Sequence, residues 1–256
     1  AVLGMNGVAR RSSHIWMLTG TPIMNRPIDL YPILLTLAYD RIEPYGDYYR
    51  FATRYCGGYQ GRFGFMALKA THKNELASRL DGFMLRRTKA EVLQELPPVT
   101  KEVIPLEPNK AVKKLLGEEA NIHMGDYDNY LRGFGEMAKL RLQLAMAKLP
   151  QVLEHIEDLM ESTDKLVIFA YHRDVVHELV SKLLKYKPVM LIGGMSDEGK
   201  RAAVDAFKYR KEVRSFIGNV VAAGTGIDGL QVAAETALFV EWSWSPGEVN
   251  QAIDRL

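Results

Sequence analysis

Residues 216–256 read FIGNVVAAGTGIDGLQVAAETALFVEWSWSPGEVNQAIDRL, and this stretch decides the fold. The apolar run at 216–222 predicts a buried strand, and a second apolar run at 237–240 predicts another. A loop rich in glycine separates the two runs. The pattern therefore predicts strand, loop and strand, with a helix to follow.

That helix is predicted to begin shortly after the second strand. Ser245 fits the N-cap, Pro246 the first turn and Glu248 the acidic position of a capping box. Gln251 and Arg255 are four residues apart, so the helix would carry both side chains on one face. The stretch thus predicts that Gln251 and Arg255 project from one face of a helix whose first turn is fixed by its cap.

The residues before this stretch show the same alternation of strand and helix. Apolar runs at 166–170 and 189–192 predict strands, and Asp174 and Ser196 fit the N-caps of the helices that follow them. Such alternation predicts an α/β fold, with a parallel sheet covered by helices on both faces. Ligands bind these sheets at the carboxyl ends of the strands. The loops expected at that edge are 171–173, 193–196 and 223–229.

The start of the chain carries a smaller version of this pattern. The apolar run at 14–18 predicts a short buried strand, and a turn of small polar residues follows at its carboxyl end. Such a turn can meet a phosphate or a neighbouring loop. The alternative is a plain strand-to-helix turn, because four-residue turn strings are common. The turn consists of Thr19, Gly20, Thr21 and Pro22.

The segment 38–162 has a different character. Aromatic-rich turns are expected at 45–65, and helical patterns follow, the last of which Pro150 is expected to divide into two helices. A basic cluster, for which a solvated charged face is the alternative, precedes a pair of prolines. It consists of Arg86, Arg87 and Lys89.

Composition limits the function only broadly. The 256 residues carry 33 Lys and Arg against 31 Asp and Glu, a formal charge of +2, so nucleic-acid binding would need a local basic surface. The single cysteine, Cys56, cannot form an internal disulfide, which favours a reducing compartment. The sequence shows no Cys and His cluster typical of a metal site, no membrane-length apolar run and no secretory leader.

Six strings taken together resemble one family. In chain order they are MLTGTPIMNRPIDLYPIL, MLRRTKAEVLQELPP, KLVIFAYHRDVV, VVAAGTGIDGLQVA, WSWSP and QAIDR. Their order and approximate spacing, over nearly the whole chain, are similar to those of the SWI/SNF-type helicase-like ATPases, which are superfamily-two DNA translocases. The strings RYCGGYQGRFGF and KLPQVLEHIEDLMES bring the resemblance closest to the annealing-helicase branch.

The resemblance implies a motor of two RecA-like lobes that binds ATP between them and moves along duplex DNA. Residues 1–37 would be the tail of RecA-like lobe one, 38–162 a mostly helical insertion with its protrusions, and 163–256 the helicase C-terminal lobe. The phosphate-binding loop and the acidic box that holds Mg²⁺ do not occur in this sequence, and the family pattern places them upstream of Ala1. The chain alone should therefore not hydrolyse ATP.

The last motif supplies the expected catalytic residue. Arg255 matches its first arginine, and a guanidinium delivered across the cleft would neutralise charge on the γ-phosphate. A second arginine, expected beyond Leu256, would share this role. Gln251 matches a nucleotide-binding position one turn earlier, and a helix-surface glutamine is its alternative role.

The glycine-rich loop matches a motif that lies between DNA and nucleotide. Gly224 and Thr225 would contact the DNA backbone, whereas Gly226 and Asp228 would approach the nucleotide. Ile227 and Asp228 depart from the Leu-Asn pair usual in these ATPases and are similar to the RNA-helicase pattern, in which the aspartate meets the ribose. A capping or turn aspartate is the alternative.

The remaining matches concern coupling and DNA. Thr19, Gly20 and Pro22 match the motif that couples hydrolysis to lobe movement, and Thr21 is the hydroxyl expected at the DNA. Backbone contacts of this kind carry no sequence information, so sequence-independent binding is expected. The other DNA-binding candidates are Arg87, His172 and Arg173.

Two further side-chain types have simpler interpretations. Trp242 and Trp244 resemble the family's Trp-Asn-Pro element, and a packing role is expected for at least one of them, because a duplex-tracking motor needs no base-stacking platform. His172 is not expected to act as a catalytic base, because phosphoryl transfer depends more on positioning and charge.

The expected function is therefore part of a DNA-dependent ATPase that couples ATP hydrolysis to translocation on double-stranded DNA, of the remodelling or strand-annealing type. The alternative is a catalytically inactive DNA-binding or adaptor module that retains the helicase fold. A monomeric motor in the cytoplasm and nucleoid, or in a eukaryotic nucleus, fits the first interpretation. A dinucleotide-binding Rossmann protein is disfavoured because the first strand and helix carry no Gly-x-Gly-x-x-Gly fingerprint.

Overall fold

The computed structural model describes residues 8–61, 64–93, 95, 99–119, 127–223 and 227–255. These residues form two compact units, one up to Ile104 and the other from Pro105 to the end of the chain. Within the described ranges, no helix is both long and apolar enough to cross a membrane. The assignment of three segments at 1–37, 38–162 and 163–256 stays a prediction.

The first unit is mainly helical, and its core lies between short helices. Short 3-10 helices at Val8–Arg11 and Pro27–Leu30 come first. The other elements are α1 (Tyr31–Leu37), α2 (Tyr39–Ile42), α3 (Tyr48–Cys56), the antiparallel hairpin β1 (Tyr59–Gly61) and β2 (Gly64–Met66), α4 (Lys73–Leu80) and α5 (Lys89–Val92). Their apolar faces bury a cluster that includes Leu30, Leu34, Ile42, Phe51, Tyr55, Leu76 and Leu80.

Helix α3 and the hairpin occupy the range where aromatic-rich turns were expected. Asp47 caps α3, because its carboxylate accepts from the Arg50 amide at 2.9 Å. Gly57 ends the helix in the left-handed conformation, with φ of 60°. Phe51 and Tyr55 are fully buried. The turn prediction was wrong because the aromatic residues follow the helical spacing of a buried face.

The strand expected at 14–18 is also wrong. These residues adopt no regular structure, and Trp16 and Leu18 are 88% and 93% exposed. A strand needs a hydrogen-bonded neighbour to satisfy its backbone, and no described strand lies beside this run. An apolar composition alone therefore did not make it a strand.

The second unit is an α/β layer preceded by two helices. Its elements are α6 (Lys110–Glu119), α7 (Tyr127–Ser162), β3 (Leu166–Ala170), α8 (Arg173–Lys182), β4 (Val189–Leu191), α9 (Asp197–Tyr209), β5 (Ser215–Asn219), α10 (Val220–Ala223), β6 (Ala237–Phe239) and α11 (Pro246–Ile253), with 3-10 turns at Leu184–Tyr186 and Leu230–Val232.

The strands of this unit form one parallel sheet in the order β4, β5, β3, β6. Every residue of β3 and β5 is buried, as expected for central strands covered on both sides. One face packs against α7 and α8 and the other against α9, α10 and α11. The structure confirms the α/β prediction and brings the carboxyl ends of the strands to one edge.

Helix α7 runs unbroken through Pro150, so the expected division into two helices is wrong. Proline cannot donate to the carbonyl four residues earlier, and normally breaks a helix interior. Here Leu149, Val152 and Ile156 are buried against the sheet. The Asn109 side chain donates to the Ala147 carbonyl at 2.9 Å, beside the missing bond. Tertiary packing thus maintains the helix across the proline.

Two local predictions in the sheet need correction, whereas a third is confirmed. Helix α8 begins at Arg173 with His172 at its N-cap, so Asp174 lies inside the first turn and does not cap it. Strand β5 ends at Asn219, whose side-chain Oδ1 accepts from the Val221 amide at 3.1 Å, and the rest of the apolar run forms α10. The hydroxyl of Ser196 accepts from the Gly199 amide at 3.1 Å, the predicted N-cap.

Candidate functional site

The centre of the carboxyl edge is the turn after β3, where a buried glutamate holds the backbone. Glu241 follows β6, and its Oε2 accepts from the amides of Tyr171 at 3.0 Å and His172 at 2.9 Å. Its Oε1 lies 2.6 Å from Nδ1 of the His172 ring. The Glu241 side chain is 7% exposed and that of His172 is 20% exposed. One carboxylate therefore fixes the turn by three hydrogen bonds.

Cationic groups surround this carboxylate. Lys148 on α7 is half-buried, and burial lowers the pKa of its ammonium group, while Glu241 opposes that shift and Arg141 reinforces it. A nitrogen of the His172 ring lies at hydrogen-bond distance from the carboxylate. Burial of a carboxylate is costly unless hydrogen bonds compensate it, and here three hydrogen bonds do so, with Lys148 near enough to interact electrostatically.

Two more side chains tie the same turn to neighbouring loops. The amide of Asn219, at the end of β5, donates to the carbonyl of Tyr171. Arg173 is exposed, and its guanidinium donates to the carbonyl of Gly193 in the turn after β4. The structure therefore brings together the loop ends after β3, β4, β5 and β6, as the parallel topology predicts.

Helix α11 packs against the short helix that leads into the glycine-rich loop. Val249 and Ala252 of α11 share one buried cluster with Val220 and Ala223 of α10. Ile227, the first described residue after the loop, belongs to the same cluster. Half-buried Gln251 therefore lies on the helix that packs beside the start of this loop.

The start of α11 differs from the predicted capping box. Pro246 occupies the first turn as predicted, but the Ser245 side chain makes no capping hydrogen bond. The hydroxyl of Ser243 instead donates to the Glu248 carboxylate and accepts from the Ser245 amide at 3.1 Å. The Ser243 hydroxyl thus lies between the Ser245 amide and the Glu248 carboxylate, which would bond each other directly in a capping box.

Arg255 lies just beyond the helix, so the expectation that α11 carries it was wrong. The helix ends at Ile253, and the Arg255 amide bonds the Ala252 carbonyl at 3.3 Å in a tightened turn. Its side chain is half-buried. Gln251 therefore lies on the helix, and Arg255 lies in the turn that follows it.

Both tryptophans of the WSWSP string pack at the same edge. Trp242 stacks on Phe239, with 5.7 Å between ring centroids, and Trp244 has the Arg141 guanidinium 4.1 Å above its ring. Arg141 also donates to the Trp242 carbonyl at 3.2 Å. Both rings thus make local contacts, while Trp242 and Trp244 are 53% and 42% exposed, so the expected core or lobe-packing role of at least one of them stays a prediction.

The turn that contains Asp228 has its own hydrogen bonds. The carboxylate of Asp228 accepts from the Gln231 side chain at 3.2 Å, and Gln231 accepts from the Gly229 amide at 3.0 Å. Gly229 has φ of 99°, a conformation that favours glycine. Asp228 is exposed. The geometry is that of a turn aspartate, and a ribose contact stays a prediction.

In the first unit, the string from Thr19 to Pro22 bends and contains a local hydrogen bond. The Thr19 hydroxyl accepts from the Thr21 amide at 3.2 Å. Farther along, the Asp29 carboxylate accepts from three successive amides at 2.8 to 3.1 Å, a role that the sequence patterns missed. Those three amides belong to Met24, Asn25 and Arg26.

The other predicted site residues lie away from this edge of the sheet or outside the part of the chain that the structure describes. Arg87 is exposed shortly before α5, as are Arg86 and Thr88. The side chain of Lys89 is outside the described part of the chain, and so are Gly224, Thr225 and Gly226. Gly20 has open space around it, so its Cβ position contacts nothing within 4 Å. The predicted roles of these residues stay predictions.

The side chains near α11 suit part of a nucleotide. A guanidinium at Arg255, an amide at Gln251 and a carboxylate at Asp228 match the chemistry of phosphate and ribose. In contrast, the described residues contain no group of three or more His, Cys, Asp or Glu side chains that could hold a metal ion. A nucleotide-binding role for Gln251, Asp228 and Arg255 stays a prediction.

Family models match almost the whole chain. Residues 8–158 match the SNF2-related domain, and residues 147–256 match the helicase conserved C-terminal domain. The chain belongs to the SNF2-related family. This membership and the parallel sheet agree with a RecA-like α/β assignment.

Curated relatives of this SNF2-related chain include annealing helicases. The human DNA annealing helicase and endonuclease ZRANB3 is 28% identical over 265 residues, which cover 97% of this chain and 24% of the relative. The Caenorhabditis elegans SWI/SNF-related matrix-associated actin-dependent regulator of chromatin subfamily A-like protein 1 homolog is 29% identical over 250 residues, 94% of this chain and 36% of the relative. The chain thus spans about a quarter to a third of the lengths of these relatives.

Solved structures with similarity to the SNF2-related chain include two from Sulfolobus solfataricus. The SWI2/SNF2 ATPase core in complex with dsDNA aligns with a TM-score of 0.41 and 22% identity, over 88% of this chain and 51% of that one. The SWI2/SNF2 ATPase C-terminal domain aligns with a TM-score of 0.40 and 18% identity, over 53% of this chain and 67% of that one.

Sequence patterns missed three polar residues of the edge. Glu241, Asn219 and Arg141 act through partners 48 to 101 positions away in the chain. The available signal for Glu241 was an acid placed between an apolar strand and a tryptophan, where burial is expected. Its partners cannot be read from local periodicity.

Proposed function

We propose that this chain forms part of a DNA-dependent ATPase motor that couples ATP hydrolysis to translocation on double-stranded DNA, of the remodelling or strand-annealing type. The observation that carries the proposal is the match of almost the whole chain to SNF2-related and helicase C-terminal domains. The DNA annealing helicase among its relatives supports the choice of DNA as the partner. ATP would supply the free energy for movement.

Within this motor, the residues around α11 face the nucleotide. Arg255 neutralises charge that develops on the transferred phosphoryl group, which a preorganised guanidinium does at little reorganisation cost. Gln251 orients the nucleotide from the helix that packs on α10. Gly226 and Asp228 approach it from the glycine-rich loop. The Mg²⁺ ligands and the phosphate-binding loop come from other parts of the intact protein.

The DNA-facing residues lie on the loops of both units. Thr225, Gly224, His172 and Arg173 contact the phosphate backbone from the second unit, and Thr21 and Arg87 do so from the first. Thr19, Gly20 and Pro22 couple hydrolysis to lobe movement. Because such contacts address phosphates, binding is independent of sequence and weakens as salt concentration rises.

The experiment measures ATP hydrolysis by the intact protein with and without double-stranded DNA. Arg255→Ala should lower DNA-stimulated turnover by about a thousandfold or more, as loss of an arginine finger does. Binding of a fluorescent ATP analogue should change little, because the contacts proposed for Gln251, Gly226 and Asp228 stay. Arg201→Ala, which removes an exposed arginine from α9, is the matched control. Undiminished DNA-stimulated hydrolysis by Arg255→Ala contradicts the catalytic assignment.

The same assay separates the motor from an inactive adaptor. A wild-type protein that binds duplex DNA and never hydrolyses ATP would be the adaptor module, and the proposed function would fail. A motor shows turnover that rises with duplex DNA and displaces a DNA-bound obstacle in an ATP-dependent manner.

A further inference from the structure

We infer that Glu241 is a positioning residue, which transmits the conformation of the DNA-facing turn at 171–173 to helix α11, which carries Gln251, and to the turn after it, which carries Arg255. This inference rests on the proposed function, because it assigns Glu241 to the coupling between its two sites. Neither the motif resemblance nor the family match assigns a role to this residue.

The first step of the argument is the number of bonds on one carboxylate. Glu241 accepts from two successive amides and faces the His172 ring at 2.6 Å. Hydrogen bonds to an ionised group are roughly twice as strong as neutral ones. Because the side chain is almost fully buried, water cannot replace these partners. A shift of the turn must therefore move Glu241 or break several strong bonds.

The second step is the short connection from Glu241 to α11. Trp242 to Ser245 separate Glu241 from the first residue of the helix, Pro246. The Ser243 hydroxyl bonds both the Glu248 carboxylate and the Ser245 amide. The connection is therefore braced by hydrogen bonds to the first turn of α11, and it passes a displacement to the helix.

The third step is the support on the other side of the connection. Arg141 of α7 bonds the Trp242 carbonyl and lies over the Trp244 ring, while Trp242 stacks on Phe239 at the end of β6. These contacts hold the segment at two points beyond Glu241. The segment 242–245 therefore has little freedom to move, and the contact between Glu241 and His172 fixes its position further.

The fourth step is that charge, and not shape alone, sets the contact. The groups that face Glu241 are His172 from the turn and Lys148 from α7, with Arg141 near Lys148. A glutamine has the shape of glutamate and retains an oxygen for the two amides. Its neutral amide group, however, replaces the oxygen that faces Nδ1 of His172. Glu241→Gln therefore removes the charge-dependent link while the fold stays close to native.

The test compares kinetics and hydrogen exchange in the intact protein. Glu241→Gln should lower the kcat of DNA-stimulated ATP hydrolysis by about tenfold, the effect of roughly 1.4 kcal/mol on a rate. The ATP KM and the concentration of duplex DNA for half-stimulation should change little. Glu241→Asp, which is one methylene shorter, keeps the charge and should recover part of kcat. Glu235→Gln makes the same change at an exposed position of the same unit and should match wild type.

Hydrogen exchange measured by mass spectrometry gives the second readout. Glu241→Gln should speed exchange both at 171–173, where its partners lie, and at 249–255, where it makes no direct contact. If Glu241 had only a structural role, its substitution would change exchange at 171–173 and leave exchange at 249–255 as in wild type. Wild-type melting behaviour, checked by circular dichroism, shows that each variant is folded before exchange is compared.

Each outcome decides the inference. A lower kcat with unchanged half-saturation, together with faster exchange at 249–255, supports it. Unchanged kcat, a change confined to DNA half-saturation, or exchange altered only at 171–173 overturns it. If the wild-type protein shows no DNA-stimulated turnover, the proposed function fails, and the exchange at 249–255 alone decides whether Glu241 links the turn to the helix.

Discussion

Arg141 lies over the ring of Trp244 with 4.1 Å between the guanidinium carbon and the ring centroid, and it also donates to the Trp242 carbonyl. One side chain of α7 thus holds the segment between β6 and α11 by both a cation–π contact and a hydrogen bond. This arrangement leads to a direct prediction about the two tryptophans.

Arg141→Ala should raise the exposure of Trp242 and Trp244 above their present 53% and 42%, and should lower the free energy of unfolding of the second unit by about 1 to 2 kcal/mol. Acrylamide quenching of tryptophan fluorescence measures the exposure, in a Trp16→Phe background because Trp16 is 88% exposed. Arg141→Lys should be intermediate, since lysine keeps the charge but lacks the planar group. Equal quenching in all variants would contradict the contact.

Glu75 in the first unit predicts a pH-dependent contribution to stability. A hydrogen bond from Arg54, with further bonds from Tyr55 and Arg79, lowers the pKa of Glu75 from 4.5 to about 2. Because the folded pKa is below the unfolded one, the stabilisation is present above about pH 4.5 and is lost as the pH falls towards 2.

Glu75→Gln should therefore be less stable than wild type at pH 7, and the difference should shrink as the pH falls from 5 to 2. Urea unfolding at several pH values measures it. Glu102→Gln, at an exposed site of the same unit, is the control and should differ little from wild type throughout. A Glu75→Gln difference that is as large at pH 2.5 as at pH 7 would contradict the assignment.

Arg214 predicts a stabilising cap on α7. Its guanidinium donates to the carbonyls of Met160 at 2.7 Å, Thr163 at 2.8 Å and Asp164 at 2.9 Å. The last carbonyls of a helix lack partners within it and carry partial negative charge. Arg214→Ala should lower the free energy of unfolding by about 2 to 3 kcal/mol, and Arg214→Lys by less. Thermal melts compared with Arg201→Ala decide whether the loss is specific.

Pro150 predicts a gain in stability on substitution. Because α7 is helical on both sides of it, alanine would restore an amide that can donate to the Met146 carbonyl. Pro150→Ala should raise the free energy of unfolding by about 1 to 3 kcal/mol. Asn109→Ala should lower it by about 1 kcal/mol, because the Ala147 carbonyl loses its side-chain donor. A destabilised Pro150→Ala would show that the packing depends on the proline ring.

The sequence allowed correct prediction where the deciding information is local or periodic. The strand at Leu166–Ala170 followed from an unbroken apolar run, and the Ser196 cap from a hydroxyl ahead of a helical pattern. The parallel sheet followed from the alternation of such elements. Each of these depends on residues close together in the chain.

Prediction failed where distant residues decide. The run at 14–18 is apolar but has no described strand beside it, and Pro150 is overruled by buried neighbours in α7. At the candidate site, Glu241 holds the turn before α8 through the amide of His172, which lies 69 positions away in the chain. Local sequence patterns cannot identify partners so far apart in the chain. A single acidic residue directly after a buried strand does, however, indicate that a hydrogen-bonded carboxylate is present.

Helix α7, which continues through Pro150, connects the two edges of the sheet. Its 36 residues span roughly 54 Å at 1.5 Å per residue. Arg214 donates to the Met160 carbonyl at its carboxyl end. Arg141 and Lys148, nearer its middle, lie at the edge of the sheet where Glu241 lies. Between these ends, Ala145, Leu149, Val152, Ile156 and Met160 are buried against the sheet. The helix therefore links the amino edge of the sheet to the carboxyl edge as one packed element, so the Arg214 contacts at one edge and the Arg141 and Lys148 contacts at the other share the same support.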